Sequence, residues 1–468
     1  MQIKNHKFTY ESSVVAIIMF AYLWICARLI LNKGYIGQDY FQHLNYVRLI
    51  LKNESLQFGI PDPFGLYYLA AFAIHLFSWK YGLMILSFLI AILISISLLL
   101  IFKITRQIMC TTMCTLSLAY IATLPVLVTT SVVLASDGLV LFPFFLYCYF
   151  TYGLLKKGVT DDKIPFIVVL ISMIQVVGIA IKFTYISMIA ASFFVSWYVI
   201  FSQRFRLNQT KKFTIVVFIL IIPAIINSIF FFSVVSPGKL GVREGTSNST
   251  MLLRSYFPYS KDIELLRAPS LGDPIIQGGR HVNVDLEGRE DPKGEPGFEL
   301  LVENRYSYPA LVHLAINTDI RNLGYGEMTP SSNRTRSNQF TQILSVVFSL
   351  FLSIGVLIFN FDFLIRGTKW LILNFKTKYM VVDNQSIFFI SVWLPAMFWF
   401  ITIVASLPFV TNPVYRWGYW TPRLILPSII VFGIVLFFGA SHLTGYWAKL
   451  FKTVILIQIF LAFNIVFR

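Results

Sequence analysis

The chain has 468 residues, of which 57% are hydrophobic, 16% aromatic and only 13% charged, with a formal net charge of +16. About a quarter of the residues in a soluble domain are charged, so this composition excludes a soluble globular protein and reads as an integral membrane protein. Nucleic acid is not the expected partner of the positive excess, because Lys and Arg sit in short clusters between apolar runs and form neither a basic helix nor a basic-aromatic stripe. Such clusters set topology and attract membrane lipids with anionic head groups.

Apolar runs of about 18 to 25 residues recur along the chain, each long enough to cross roughly 30 Å of hydrocarbon. The first, Ser13 to Asn32, follows Lys4 and Lys7 and has no small-residue cleavage site, which reads as a retained signal anchor. If this span leaves the cytoplasm, the polar stretch Lys33 to Tyr68 is extracytoplasmic. A helix is expected there from near Gln38. Tyr40, Leu44, Val47 and Leu51 fall on one face, with Asp39, His43 and Lys52 to the side, as in an amphipathic helix lying on a membrane surface. A solvated loop leaving a membrane helix is the alternative.

Tyr67 to Trp79 is short and interrupted by His75, so it is expected to be interfacial or re-entrant. Spans are then expected at Tyr81 to Phe102, Thr112 to Leu134, Leu139 to Leu155, Ile164 to Ile181, Tyr185 to Phe201 and Thr214 to Val235. After a polar region come Phe340 to Ile365, Ser386 to Phe409, Leu424 to Gly439 and a last span ending at the C-terminus, giving about eleven crossings. The segment with Arg366, Lys369, Lys376 and Lys378 is expected along the inner surface. Lys103, Arg106, Lys156, Lys157, Lys211 and Lys212 all fall in loops assigned to the cytoplasm, as the positive-inside bias requires.

The expected fold class is therefore an all-α polytopic membrane protein in three parts. Residues 1–235 form an N-terminal transmembrane module containing the first loop, 236–339 a large extracytoplasmic loop, and 340–468 the C-terminal transmembrane helices. The cysteines Cys26, Cys110, Cys114 and Cys148 lie in or beside apolar segments, where neither disulfides nor a zinc site is expected. Cys110 and Cys114 are expected to share a helical face through packing.

Ionisable groups at membrane depth cost about 2.5–3.5 kcal/mol on insertion scales and so mark function by default. Asp39, His43, Asp137, Lys182 and Arg423 come from distant parts of the chain, yet the topology gathers them at the outer ends of helices. Bland readings exist for two of them. Lys182 suits a snorkelling lysine and Asp137 a helix N-cap.

Several short pieces together resemble a known family. Pro61-Asp-Pro-Phe-Gly-Leu-Tyr67-Tyr68 looks like the Pro-Pro-Leu-Tyr-Tyr run leading into the second conserved helix of polyprenyl-phosphate-sugar-dependent glycosyltransferases of the GT-C fold, among them the protein O-mannosyltransferases and the aminoarabinose transferases of lipid A. Asp39 with His43 resembles the acidic first-loop motif, and Ala135-Ser-Asp137-Gly-Leu the second-loop acid that opens a helix. Gly178-Ile-Ala-Ile-Lys182-Phe-Thr184 is similar to a Gly-x-Ala-x-x-x-Lys turn with two spacer residues fewer, and Pro422-Arg423-Leu-Ile-Leu-Pro427 to an Arg-Tyr-Leu-Leu-Pro segment.

The resemblance implies a GT-C-like fold with a first-loop amphipathic helix. It also implies transfer of a sugar from a polyprenyl-phosphate-linked donor to a glycan, lipid or protein acceptor, with inversion at the sugar. Such chemistry needs a carboxylate to take the acceptor proton and cations to stabilise the departing phosphate. Asp39 is then the expected base, and Lys182 and Arg423 the phosphate contacts. His43 orients the base or binds acceptor or metal, and Asp137 holds acceptor or a divalent cation, the one cofactor left open. The expected location is a bacterial inner membrane with the active face extracytoplasmic. Competing expectations are a polysaccharide polymerase or ligase, a polytopic transporter or flippase, and a catalytically silent assembly protein on the same scaffold. Transporters place polar sites near mid-membrane, whereas the polar residues here gather at one surface.

Overall fold

Within lipid a chain must satisfy its backbone hydrogen bonds internally, and a segment that does so alone is a helix. The computed structural model describes residues 2–31, 40–52, 65–157, 164–201, 209–234, 336–377, 383–410 and 425–467, and these are helical apart from short turns. In chain order the helices are α1 (Gln2–Leu31), α2 (Tyr40–Leu51), α3 (Gly65–Thr105), α4 (Thr111–Ala122), α5 (Pro125–Val132), α6 (Ser136–Leu139), α7 (Leu141–Lys157), α8 (Ile164–Ile181) and α9 (Ser187–Phe201). They continue with α10 (Gln209–Val216), α11 (Ile222–Val234), α12 (Arg336–Thr377), α13 (Asn384–Phe388), α14 (Leu394–Val410), α15 (Leu426–Ala440) and α16 (Gly445–Phe467). Among the described residues, 8 helices are long and apolar enough to cross a membrane, joined by one bent pair and the shorter apolar helices Phe166–Ile181 and Leu426–Ala440. The chain is an all-α multi-pass membrane protein.

Most expected spans reappear, and the differences have physical causes. The run Thr112 to Leu134 is not one rod, since α4 and α5 meet at a 56° bend. Pro125 opens α5 and has no N–H to continue the α4 ladder. The Thr123 hydroxyl donates to the Ala119 and Tyr120 carbonyls, each at 3.0 Å, and so closes the end of α4. Helix α12 runs unbroken from Arg336 to Thr377, past the expected boundary at Ile365, so the basic stretch that begins at Arg366 continues the helix. Arg366 pairs one turn back with Asp362 at 2.7 Å. Cys110 lies ahead of α4 as its exposed N-cap while Cys114 is buried, so the two do not share a packed face.

His75 does not interrupt α3. The break comes three residues later, at Ser78 with φ 72° and ψ 168°. A straight helix of this length would be about 60 Å long, with residues nine apart separated by about 13 Å. A Cβ added at Gly82 would instead lie 2.6 Å from the Ala73 carbonyl oxygen and 2.7 Å from Ile74 Cα. The arm Gly65–Phe77 therefore turns sharply at Ser78 and touches the arm that crosses. This agrees with an interfacial or re-entrant segment ahead of a separate span. Serine in the left-handed region costs more than glycine there, and a β-branched residue costs more again. Ser78→Val is expected to lower stability by about 1–2 kcal/mol and Ser78→Gly to leave it unchanged or improve it, as read by melting temperature.

The helix ends sort into two groups. At one end Arg106 pairs with Glu11 at 2.8 Å, the Lys156 ammonium donates to Gln107 at 2.5 Å, and the Asn384 amide donates to the Gln107 carbonyl at 3.0 Å. Arg106 and Lys156, both assigned to inner loops from their charge, are thus gathered at one end. Alternation along the chain carries the end of α1, helix α2, the start of α3, helix α6 and the turn after α8 to the opposite end. Trp399 of α14 packs edge-on against Phe144 and Tyr185, with ring centroids 5.6 and 6.1 Å apart, and all three are buried in the core.

Candidate functional site

The site is built where α8 stops. The Lys182 amide still donates to the Gly178 carbonyl at 2.9 Å, but φ −151° and ψ 128° take Lys182 out of the helix and into the 3-10 turn Phe183–Ile186. Across from it, the extended residue Ala135 leads into α6, with Asp137 in its first turn. Lys182 Nζ lies 2.5 Å from Asp137 Oδ1 and donates to Ser136 Oγ at 3.2 Å. The side chains of the pair are 7% and 4% exposed.

Both bland readings therefore fail. A snorkelling lysine would carry its ammonium to water, whereas this one is buried against a carboxylate 45 residues earlier in the chain. Asp137 is not the N-cap of α6: Ala135 holds that position, and no side-chain cap bond forms. Burying either charge alone would cost several kcal/mol, a penalty that close pairing and an added hydrogen bond offset.

Close backbone approaches assemble the surroundings. A Cβ at Gly65 would sit 2.6 Å from the Ala180 carbonyl oxygen, so the start of α3 abuts the last turn before Lys182. One at Gly138 would sit 2.7 Å from the Thr130 carbonyl oxygen and 3.0 Å from the Ile90 side chain, which seats α6 between α5 and α3. At Gly178 it would run into the Tyr185 ring at 2.4 Å, and that ring is held by its hydroxyl, which donates to the Pro143 carbonyl at 2.9 Å. The glycine of the Gly178 to Lys182 motif thus makes room for the tyrosine that fixes the turn. Gly178→Ala is expected to cost about 1–3 kcal/mol through overpacking, measurable as a lowered melting temperature, with smaller loss when Tyr185→Phe frees the ring to shift.

Helix α2 is described from Tyr40, and the expected start near Gln38 lies outside the described residues. Leu44 and Val47 are buried, Leu51 is half-buried and Lys52 is exposed, as the amphipathic reading requires. Tyr46 packs on Tyr67 with ring centroids 5.3 Å apart, which ties α2 to the arm of α3 that reaches Lys182. His43 lies on α2, with its side chain outside the described residues. Asp39, Arg423, Pro61 to Phe64 and nearly all of the 236–339 loop also lie outside them. The helix that follows Arg423 is described: Ser428 of α15 donates to the Ala396 carbonyl at 2.7 Å, one turn from the Trp399 that touches Tyr185. Asp137 and Lys182 are the candidate residues whose side chains are described, and the structure brings them together.

A buried polar chain went unread in the sequence. Tyr147 shares a hydrogen bond with Ser192 at 2.8 Å, Ser192 donates to Gln175 at 3.1 Å, and Gln175 donates to the Ile219 carbonyl at 2.8 Å. Ile219 lies in the π-helical stretch Val217–Ile221, whose wider turn leaves a carbonyl for the amide to bind. The signal was the lone amide Gln175 in an otherwise apolar run, a residue type that joins helices in lipid.

The pair also decides how well Asp137 suits a divalent cation. An ion on that carboxylate would have to share it with the Lys182 ammonium, which lies 2.5 Å from Oδ1, and this like charge makes the place a poor fit for a metal.

No protein-family model matches the chain, and no curated protein matches it. Among solved structures, it is similar to the archaeal oligosaccharyltransferase AglB from Archaeoglobus fulgidus, in complex with an inhibitory peptide and a dolichol-phosphate, at 13% identity and a TM-score of 0.45. The alignment covers 98% of this chain and 56% of that one, so the chain spans a little over half the length of that protein.

Proposed function

We propose that the chain is a GT-C-type membrane glycosyltransferase that moves a sugar from a polyprenyl-phosphate carrier to a glycan, lipid or protein acceptor. The active face is extracytoplasmic and the membrane a bacterial inner membrane. The observation that carries this reading is the buried Asp137–Lys182 pair, formed by two separate turns at the helix ends where α3 begins. It supports the motif resemblance because two of its matched residues, 45 positions apart in sequence, meet at one place.

In the reaction the acceptor oxygen attacks the anomeric carbon, a new C–O bond forms, and the bond from that carbon to the phosphate oxygen breaks. Asp39 takes the acceptor proton, and the bonding electrons leave with the phosphate. Lys182 and Arg423 stabilise the charge that develops on the leaving group. His43, on α2, orients the acceptor or the base.

The test uses the full chain in phosphatidylcholine nanodiscs with a panel of radiolabelled polyprenyl-phosphate-linked hexoses and pentoses and a cell-envelope extract as acceptor. Transfer of label with stoichiometric release of polyprenyl phosphate is expected. If no donor in the panel is consumed, the reading fails.

A further inference from the structure

The geometry points to Asp137 as a positioning residue that competes with the donor phosphate for Lys182. This rests on the donor reading above and gives Asp137 a role other than holding acceptor or metal. The reasoning begins with charge. Lys182 is the cation expected to meet the lipid phosphate, yet its ammonium is 2.5 Å from Asp137 Oδ1 and donates to Ser136 Oγ, with both charged side chains buried. A phosphate oxygen that binds this ammonium must draw it away from Asp137 or share it. Either way a second anion is brought close to the Asp137 carboxylate in a buried place, where charge interactions are strong.

The competition has a use at each end of the cycle. Before the donor arrives, Asp137 holds the buried Lys182 ammonium in a fixed place. The backbone break at residue 182 keeps the side chain aimed at α6. After transfer the carrier is a phosphate monoester, more anionic than the diester that entered, and Asp137 repels it. Lys182 returns to the carboxylate as the product leaves.

Equilibrium binding of farnesyl phosphate tests the assignment, with farnesol as the uncharged control and the full chain in phosphatidylcholine nanodiscs. Asp137→Asn removes the rival anion and is expected to tighten farnesyl phosphate binding at least about tenfold, leaving farnesol binding unchanged. A merely structural aspartate would give weaker binding of both or no change. Ser136→Ala removes the hydroxyl contact on the ammonium and keeps the ion pair. It is expected to tighten farnesyl phosphate binding about twofold or more, and it carries the test if Asp137→Asn does not give folded protein. Phosphate-selective binding by the wild type that neither variant tightens overturns the assignment and leaves the donor reading standing. Wild-type protein that does not distinguish farnesyl phosphate from farnesol overturns both.

Discussion

Lys182→Met is expected to destabilise the folded protein by about 3–5 kcal/mol, because it takes the ammonium away from the buried Asp137 carboxylate. The measurement is thermal unfolding in detergent, with the wild type, both single variants and the double variant treated as a cycle. Asp137→Asn/Lys182→Met replaces the pair with two uncharged side chains and is expected to recover most of the loss, since a buried pair is worth little more than well-packed neutral groups. The sign of the coupling decides the matter. If the two single losses simply add in the double variant, the residues act independently and the buried ion pair is not an energetic unit.

Asp39→Asn is expected to lower sugar transfer by about 10²–10⁴-fold, the usual contribution of a positioned general base, while donor binding persists. The substitution keeps the size and polarity of the side chain and removes only its ability to accept a proton. Single-turnover measurements with pre-bound donor separate this from a binding defect. Transfer at the wild-type rate would defeat the assignment of Asp39 as base. On the proposed reading the two experiments report on different things, Lys182→Met on folding and donor phosphate and Asp39→Asn on the chemical step.

Much of this architecture was legible because lipid imposes strict rules on sequence. The helix Ile164–Ile181 was expected with the bounds that the structure gives it, since the run is largely apolar and ends at a charge. The loop charges likewise grouped Arg106 with Lys156 before their shared neighbour Gln107 was seen. What escaped the sequence were features set by contacts between helices. Hydropathy cannot see the bend at Pro125 in a run that stays apolar across it, nor the corner at Ser78, where no glycine marks the positive φ. The pairing of Asp137 with Lys182 was equally hidden. Each residue alone had an ordinary explanation, and only the packing of α6 against the end of α8 removes both at once.

The corner at Ser78 has a bearing on how the protein is made. A continuous apolar segment of 41 residues could be threaded through the bilayer twice, and a second traverse would invert every later loop. The arm Gly65–Phe77 would be only about 20 Å long as a helix, short of the roughly 30 Å of hydrocarbon, so the corner at Ser78 suits a single passage by the second arm. Whether the chain turns at that serine or runs straight through it therefore sets the parity of the loops that follow, the Asp137 and Lys182 turns among them.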